Sequence, residues 1–189
     1  MYYPERKIAL KNGKEALFRS PSPEDAALML DFLKSVSGET EFLLRCPEEC
    51  GDPLEQEVAF LTDILGSETK MMIACVIDDE VAGNCQINFY NRIKTRHRAS
   101  VAIAIRKKYW GLGIGTEMFR EMIAAANRRQ GILQLELEFI EGNERARRLY
   151  EKMGFRIVSE RPDAIRLRDG SFRKEYTMIK KLAQQSGQD

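Results

Sequence analysis

Near the middle of the chain an apolar stretch, Ala99 to Ile105, runs through Arg106-Lys107-Lys108-Tyr109 into Trp110-Gly111-Leu112-Gly113-Ile114-Gly115-Thr116. The stretch before the glycines reads as a strand and the residues after them as a helix. The glycines therefore open a helix N-terminus, where the first amides have no intrahelical acceptor. Glycine allows an anion close to the backbone, and the helix dipole favours negative charge there. Binding of a phosphate or pyrophosphate is the chemistry this arrangement suits. Two familiar phosphate loops fail on spacing. A Walker loop needs Lys before the Ser/Thr, where Gly115 stands, and the dinucleotide fingerprint needs glycine where Thr116 stands. A bare strand-to-helix turn is the reading without a ligand.

A second constellation follows about thirty residues on, Asn143-Glu144-Arg145-Ala146-Arg147-Arg148-Leu149-Tyr150-Glu151-Lys152-Met153-Gly154-Phe155. Asn143 is a good helix cap by type. Asn143, Ala146, Tyr150 and Met153 follow helical spacing, which puts Tyr150 two turns along nearly the same face. A phenol there is either a core aromatic or a proton donor. Glu136 and Glu138 share one face of a strand, as a water-mediated proton relay or as a plain solvent face. His97 has a suitable intrinsic pKa for a base but sits between Arg96 and Arg98 at a strand entry. Glu39 and Glu41 lie in an irregular segment, Ser35 to Gly51, where they could attract a cationic amine or simply be loop charges.

The elements that position these residues alternate strand and helix. Glu15 to Arg19 reads as a strand after a polar start. Ser22-Pro23-Glu24-Asp25 opens a helix with Leu28, Met29, Phe32 and Leu33 as its stripe. Asp52-Pro53-Leu54-Glu55 opens another, with Leu54, Val58, Leu61 and Leu65 on one face. Met71 to Ile77 and Val81 to Tyr90 form a hairpin across Asp78-Asp79-Glu80. Ile114 to Arg129 is helical, and Leu133 to Ile140 alternates as a strand. Asn143 to Met153 is a helix stopped by Gly154, and Phe155 to Leu182 holds antiparallel strands turned at Asp169-Gly170. This predicts an α/β (α+β) fold in a single domain, residues 1–182, with a polar tail at 183–189.

Its 189 residues are one domain's worth, and 43% hydrophobic with 31% charged residues excludes disorder. Thirty basic against 29 acidic residues give a net charge of +1. That supplies no global field for nucleic acid, so an anion site must be built locally. No segment approaches the ~20 apolar residues of a membrane span, and the start lacks a signal-peptide core, so a cytoplasmic protein is expected. The four cysteines, Cys46, Cys50, Cys75 and Cys85, with one histidine, fit reduced thiols better than a zinc site, and no metal is expected.

The strand, the Trp-Gly-Leu-Gly-Ile-Gly loop and the Asn-Glu-Arg-Ala-Arg-Arg-Leu-Tyr-Glu-Lys-Met-Gly-Phe helix together resemble the GNAT superfamily of acyl-CoA-dependent N-acetyltransferases. The likeness is strong over residues 99–158 and looser from 15 to 182. Trp110 stands where the family most often has Gln or Arg. The resemblance implies a mixed, mostly antiparallel sheet flanked by helices, with splayed central strands that admit the pantetheine arm of acetyl-CoA as co-substrate. It implies backbone pairing to that arm from Ile103, Ala104 and Ile105. It also implies a pyrophosphate cradle in Trp110, Gly111, Leu112, Gly113, Ile114, Gly115 and Thr116, with Arg106, Lys107, Lys108 and Arg147 as supplementary cations. Asn143 would bond the pantetheine or support the acceptor side, and Tyr150 would protonate the leaving thiolate. Glu39 and Glu41 match the region that walls the acceptor pocket, and Glu136 or Glu138 is the expected proton relay. The implied reaction is direct attack by a primary amine, on a small molecule or a peptide, in a ternary complex. Neither nucleic acid nor membrane is an expected partner, and dimers through sheet edges are common in the family. A non-catalytic acyl-CoA-binding protein on the same fold is the alternative.

Overall fold

A computed structural model describes residues 1–183. The strands are β1 (Arg6–Ala9), β2 (Glu15–Arg19), β3 (Lys70–Ile77), β4 (Glu80–Phe89), β5 (Arg98–Ile105), β6 (Gln134–Ile140), β7 (Arg156–Arg166) and β8 (Phe172–Lys181). The helices are α1 (Ala26–Glu39), α2 (Leu54–Gly66), α3 (Ile114–Arg128) and α4 (Glu144–Lys152), with short 3-10 turns at Pro23–Asp25, Pro47–Glu49 and Lys107–Tyr109. The expected tail from residue 184 onward lies outside the described residues. Among the described residues no helix is long and apolar enough to cross a membrane.

Contacts divide the chain into two compact units, Met1–Ile87 with Ala102–Met118, and Asn88–Val101 with the residues from Phe119 onward. In the first unit the strand order is β1-β2-β3-β4-β5, with β1·β2 and β2·β3 antiparallel. Two residues, Asp78 and Asp79, join β3 to β4, both at positive φ (50° and 60°), the geometry of a tight hairpin whose twist matches its strands. α1 and α2 cover this sheet through Met29, Phe32, Val36, Leu61 and Ile64, which meet Met72, Ala74 and Val81. In the second unit the order is β5-β6-β8-β7, with β5·β6 parallel and the other pairs antiparallel. The mixed, mostly antiparallel character expected from the sequence is present.

Several elements differ from the sequence expectation. Strand β1 arises from the polar start; Ile8 is half-buried and its other residues are exposed, so pairing with β2 rather than pattern makes it a strand. In α1 the buried stripe is Ala26, Met29, Phe32 and Val36, while Leu28 is 41% exposed, because the first turn is a 3-10 segment that shifts the phase. That first turn is anchored by Asp25. Its carboxylate accepts two bonds from Arg19, at 2.5 and 2.7 Å, and one from the Ser22 amide at 2.7 Å. The Arg19 bonds hold the Asp25 carboxyl below its usual range, although burial opposes them. A lowered native pKa stabilises the fold above the unfolded-state value and loses that benefit as pH falls through the native one. Asp25→Ala is therefore expected to cost about 2–4 kcal/mol at neutral pH, with the difference from wild type shrinking below about pH 4, as read by thermal melts.

Candidate active site

Strand β5 is bonded toward β6 over only three pairs, Arg98↔Gln134 to Ser100↔Glu136. Both strands continue beyond that point, β5 to Ile105 and β6 to Ile140. Within the first unit the sides of β5 can be told apart. The Arg106 amide donates to the Ala82 carbonyl at 2.9 Å, so residues 104 and 106 turn their backbone groups toward β4. The Ala104 carbonyl lies so close to Gly83 that a Cβ there would meet it at 2.9 Å, which explains glycine at that position. Ile103 and Ile105 consequently turn theirs to the opposite edge. The Ile105 carbonyl on that edge accepts from the Trp110 indole Nε1 at 2.8 Å. Of the three residues expected to pair with a pantetheine arm, Ile103 keeps both groups available and Ile105 keeps its N–H. Ala104 is corrected: its backbone belongs to β4.

Trp110 thus has a mechanical part. Its indole ties the end of β5 to the loop that follows, in place of the Gln or Arg contact implied by the resemblance. The amides of Gly111, Leu112 and Gly113 make no backbone hydrogen bond among the described residues. Those of Ile114, Gly115 and Thr116 stand in the first turn of α3, before the Glu117 amide closes onto the Gly113 carbonyl at 3.2 Å. Gly113 has φ +96°, a left-handed conformation that suits glycine, and the stem of Lys11 runs past it 3.7 Å from where a Cβ would sit. The cradle is thereby a row of free amides at a helix N-terminus, a fit for a diphosphate.

The expected basic cluster is largely committed elsewhere. Arg106 is 7% exposed. Its guanidinium meets Asp31 at 2.7 Å, Glu80 at 3.0 Å and the Val81 carbonyl at 2.9 Å, above the Phe32 ring. Lys108 pairs with Glu80, whose carboxylate also accepts from the Tyr109 hydroxyl. These are corrections to the anion role, since an inward Arg with two acidic partners is a structural group. Lys107 remains exposed, and its amide donates to Glu39 Oε2 at 2.6 Å. Glu39, in the last turn of α1, therefore lies against the residues between β5 and the loop, while Glu41 is exposed. Lys11 is the cation that sequence reasoning missed. It belongs to the β1–β2 turn, its amide bonds the Leu112 carbonyl at 3.2 Å, and no spacing along the chain relates it to residue 112.

In the second unit, α4 begins as expected. Asn143 Oδ1 accepts from the Ala146 amide at 3.2 Å, which leaves the side-chain nitrogen as a donor. Tyr150 is 7% exposed and stands edge-on to Phe119 and Phe139, with ring centroids at 5.4 and 5.9 Å. Burial pushes its hydroxyl up to about 12. Arg147 is half-exposed and paired with Glu151 at 2.9 Å, an ordinary helical pair. Glu136 is gripped by Arg98 at 2.8 and 2.9 Å and by the Tyr90 hydroxyl at 2.6 Å. Burial raises its pKa, but the Arg98 and Tyr90 bonds outweigh that and leave it lowered. A carboxylate so held is a poor proton acceptor and acts as the clamp at the last rung of the β5–β6 ladder. Glu138 is exposed opposite Thr177 on β8. Among the described residues no group of three or more His, Cys, Asp or Glu is placed to hold a metal ion.

Comparison with known proteins places the family and the fold. The acetyltransferase (GNAT) family model matches residues 39–155. The L-amino acid N-acetyltransferase AaaT of Escherichia coli (strain K12) is 28% identical over 111 residues, which cover 59% of this chain and 67% of that one. The acetyltransferase of GNAT family from Streptococcus pneumoniae superposes with a TM-score of 0.82 at 29% identity, covering 88% of this chain and 99% of that one. The fold is shared as well with yncA from Salmonella typhimurium, solved with its cofactor acetyl-CoA, at a TM-score of 0.77 and 14% identity over 93% and 99% of the two chains. The chain belongs to the GNAT family and is an acetyl-CoA-dependent N-acetyltransferase.

Proposed function

We propose that the acceptor is a primary amine, acetylated by direct attack without a covalent enzyme intermediate. The observation that carries this is the pairing of a free-amide cradle, Gly111 to Thr116, with an exposed backbone edge at Ile103 and Ile105. Acetyl-CoA supplies an acetyl group activated as a thioester. The cradle amides hold its diphosphate, with Lys11 as a nearby cation, and Ile103 pairs with the pantetheine amides. The Ile105 N–H is the donor available to the thioester oxygen, which gains negative charge as the amine adds.

Tyr150 serves the leaving sulfur. With its hydroxyl near 12, it stands well above a thiol of about 8.5, so outright transfer of its proton is uphill by about 5 kcal/mol. It acts by donating a hydrogen bond while the proton shed by the attacking amine makes up the balance. An alkyl ammonium near 10.4 must also lose a proton before it attacks, at about 4.6 kcal/mol at pH 7. Neither Glu136, held by Arg98, nor His97, at the strand entry, is poised for that task. Activity should accordingly rise with pH toward the ammonium pKa.

An amine panel containing L-amino acids, peptides and polyamines, with coenzyme A release and product mass as readouts, tests the reading. Amino acids are included because the relative AaaT acts on them by name. Stoichiometric N-acetyl product is expected with at least one class; tight coenzyme binding without turnover on any amine would favour the non-catalytic alternative. Lys11→Ala is expected to raise KM for acetyl-CoA by about threefold to tenfold, with a weaker salt dependence and an unchanged acceptor KM. Equal KM values at low salt would remove Lys11 from the cradle.

A further inference from the structure

Four consecutive residues, Arg106-Lys107-Lys108-Tyr109, lead from β5 toward the glycine loop, and each is held by an acid from earlier in the chain. Glu80, the first residue of β4, gathers three of them. Its Oε1 lies 3.0 Å from the Arg106 guanidinium. Its Oε2 accepts from the Lys108 ammonium and, at 2.8 Å, from the Tyr109 hydroxyl. Asp31 adds a second acid to Arg106 at 2.7 Å. The remaining residue, Lys107, is held through its amide, which donates to Glu39 Oε2 at 2.6 Å.

An isolated surface ion pair is worth little, but one carboxylate with both oxygens given to three donors is a network whose members orient one another. The Lys108 bond holds the Glu80 carboxyl below its usual range although burial opposes it, so the carboxylate is charged at neutral pH. Its own place is firm, since it follows directly on the tight turn at Asp78 and Asp79 and opens β4. The short turn at Lys107–Tyr109 passes the constraint on. The Trp110 amide donates to the Lys107 carbonyl at 3.1 Å, and the Trp110 indole reaches back to Ile105 at 2.8 Å. Gly111 comes next, and its backbone, like that of Gly113, has a freedom that costs entropy to order. A fixed segment just before these glycines lowers the cost that falls on the ligand.

We propose that Glu80 is a positioning residue for coenzyme binding: by fixing Arg106, Lys108 and Tyr109 it presets the glycine loop in the shape that receives the diphosphate. The assignment rests on the cradle reading above and adds what holds the cradle in shape. In charge alone, a carboxylate bonded to the segment that leads into an anion site is unfavourable. It opposes the ligand and occupies two cations that could serve it. The two roles therefore predict opposite signs. Removing the charge tightens coenzyme binding if Glu80 is only a counter-ion, and weakens it if Glu80 sets the loop.

Calorimetric titration of the wild type, Glu80→Gln and Tyr109→Phe with coenzyme A tests this, alongside thermal melts and amide NMR of each free protein. Glutamine offers a single acceptor oxygen to three donors, and its nitrogen accepts nothing. Coenzyme A affinity should fall on the order of tenfold in Glu80→Gln, and about threefold in Tyr109→Phe, which removes one donor and no charge. In both free variants the amides from Gly111 to Thr116 should broaden through exchange and sharpen again on adding coenzyme A. An affinity that is unchanged or tighter in Glu80→Gln overturns the assignment, whatever its melting temperature, and marks a purely structural acid. If Glu80→Gln does not fold, Tyr109→Phe decides, and an affinity equal to wild type overturns it. Gly111→Asp binding coenzyme A as tightly as Gly111→Asn overturns the cradle reading instead, and this assignment with it.

Discussion

Tyr150→Phe is expected to lower kcat by on the order of a hundredfold to a thousandfold while leaving the fold and coenzyme binding intact. The side chain is enclosed by Phe119 and Phe139 in edge-on contacts, and a phenyl ring fills the same space. Loss of one hydroxyl should cost about 1 kcal/mol of stability or less, since among the described residues no hydrogen bond to another protein group depends on it. The kinetic loss has a separate origin: the leaving sulfur has no donor once the hydroxyl is removed. The pH dependence distinguishes the two effects. Because burial holds the wild-type hydroxyl near 12, kcat should show no falling limb from Tyr150 up to about pH 11. Unchanged turnover in the Phe variant would take Tyr150 out of the reaction, whereas a falling limb near pH 10 that the Phe variant lacks would contradict only the raised hydroxyl.

The second large effect lies in the loop. At Gly111, φ is +83° and a Cβ would meet nothing within 4 Å, so a side chain there would project into open space beside the amides. Gly111→Asp places a negative charge where a diphosphate is to be held. Gly111→Asn has the same shape, carries no charge, and tolerates a left-handed backbone better than most residues. The Asp variant should lose coenzyme A affinity by on the order of a hundredfold relative to Asn, as like charges about 5 Å apart near a protein surface repel by about 3 kcal/mol. High salt should narrow the gap. Equal affinity in the two variants would mean that the anion binds elsewhere.

How much of this was legible in the sequence depends on whether the signal was local. The loop, β2, the β3–β4 hairpin, β6 and α4 announce themselves through short-range chemistry: breakers at Gly113 and Gly154, strict alternation from Leu133, and a cap at Asn143. Features set by the partner strand or helix were not legible. Nothing in Ala99 to Ile105 says that Ala104 faces β4 and Ile103 does not; the short ladder to β6 and the close approach of Gly83 decide it. Helix α2 could be read with Leu54 and Val58 inward because a rotation by one residue changes the face without changing the period. Tertiary packing instead chose Glu57, Leu61 and Ile64. Arg106 looked like an anion ligand beside Lys107 and Lys108, yet Asp31 and Glu80, far away in sequence, draw it inside.

The central claim is that the backbone amides of residues 111–116 hold the coenzyme diphosphate. Backbone amide NMR of the full chain, titrated with coenzyme A, reports on it residue by residue. The account predicts that the largest shifts fall on Gly111, Leu112, Gly113, Ile114, Gly115 and Thr116, with a second, smaller set at Ile103 and Ile105. Shifts that leave those amides unmoved while coenzyme A binds at another face would contradict it.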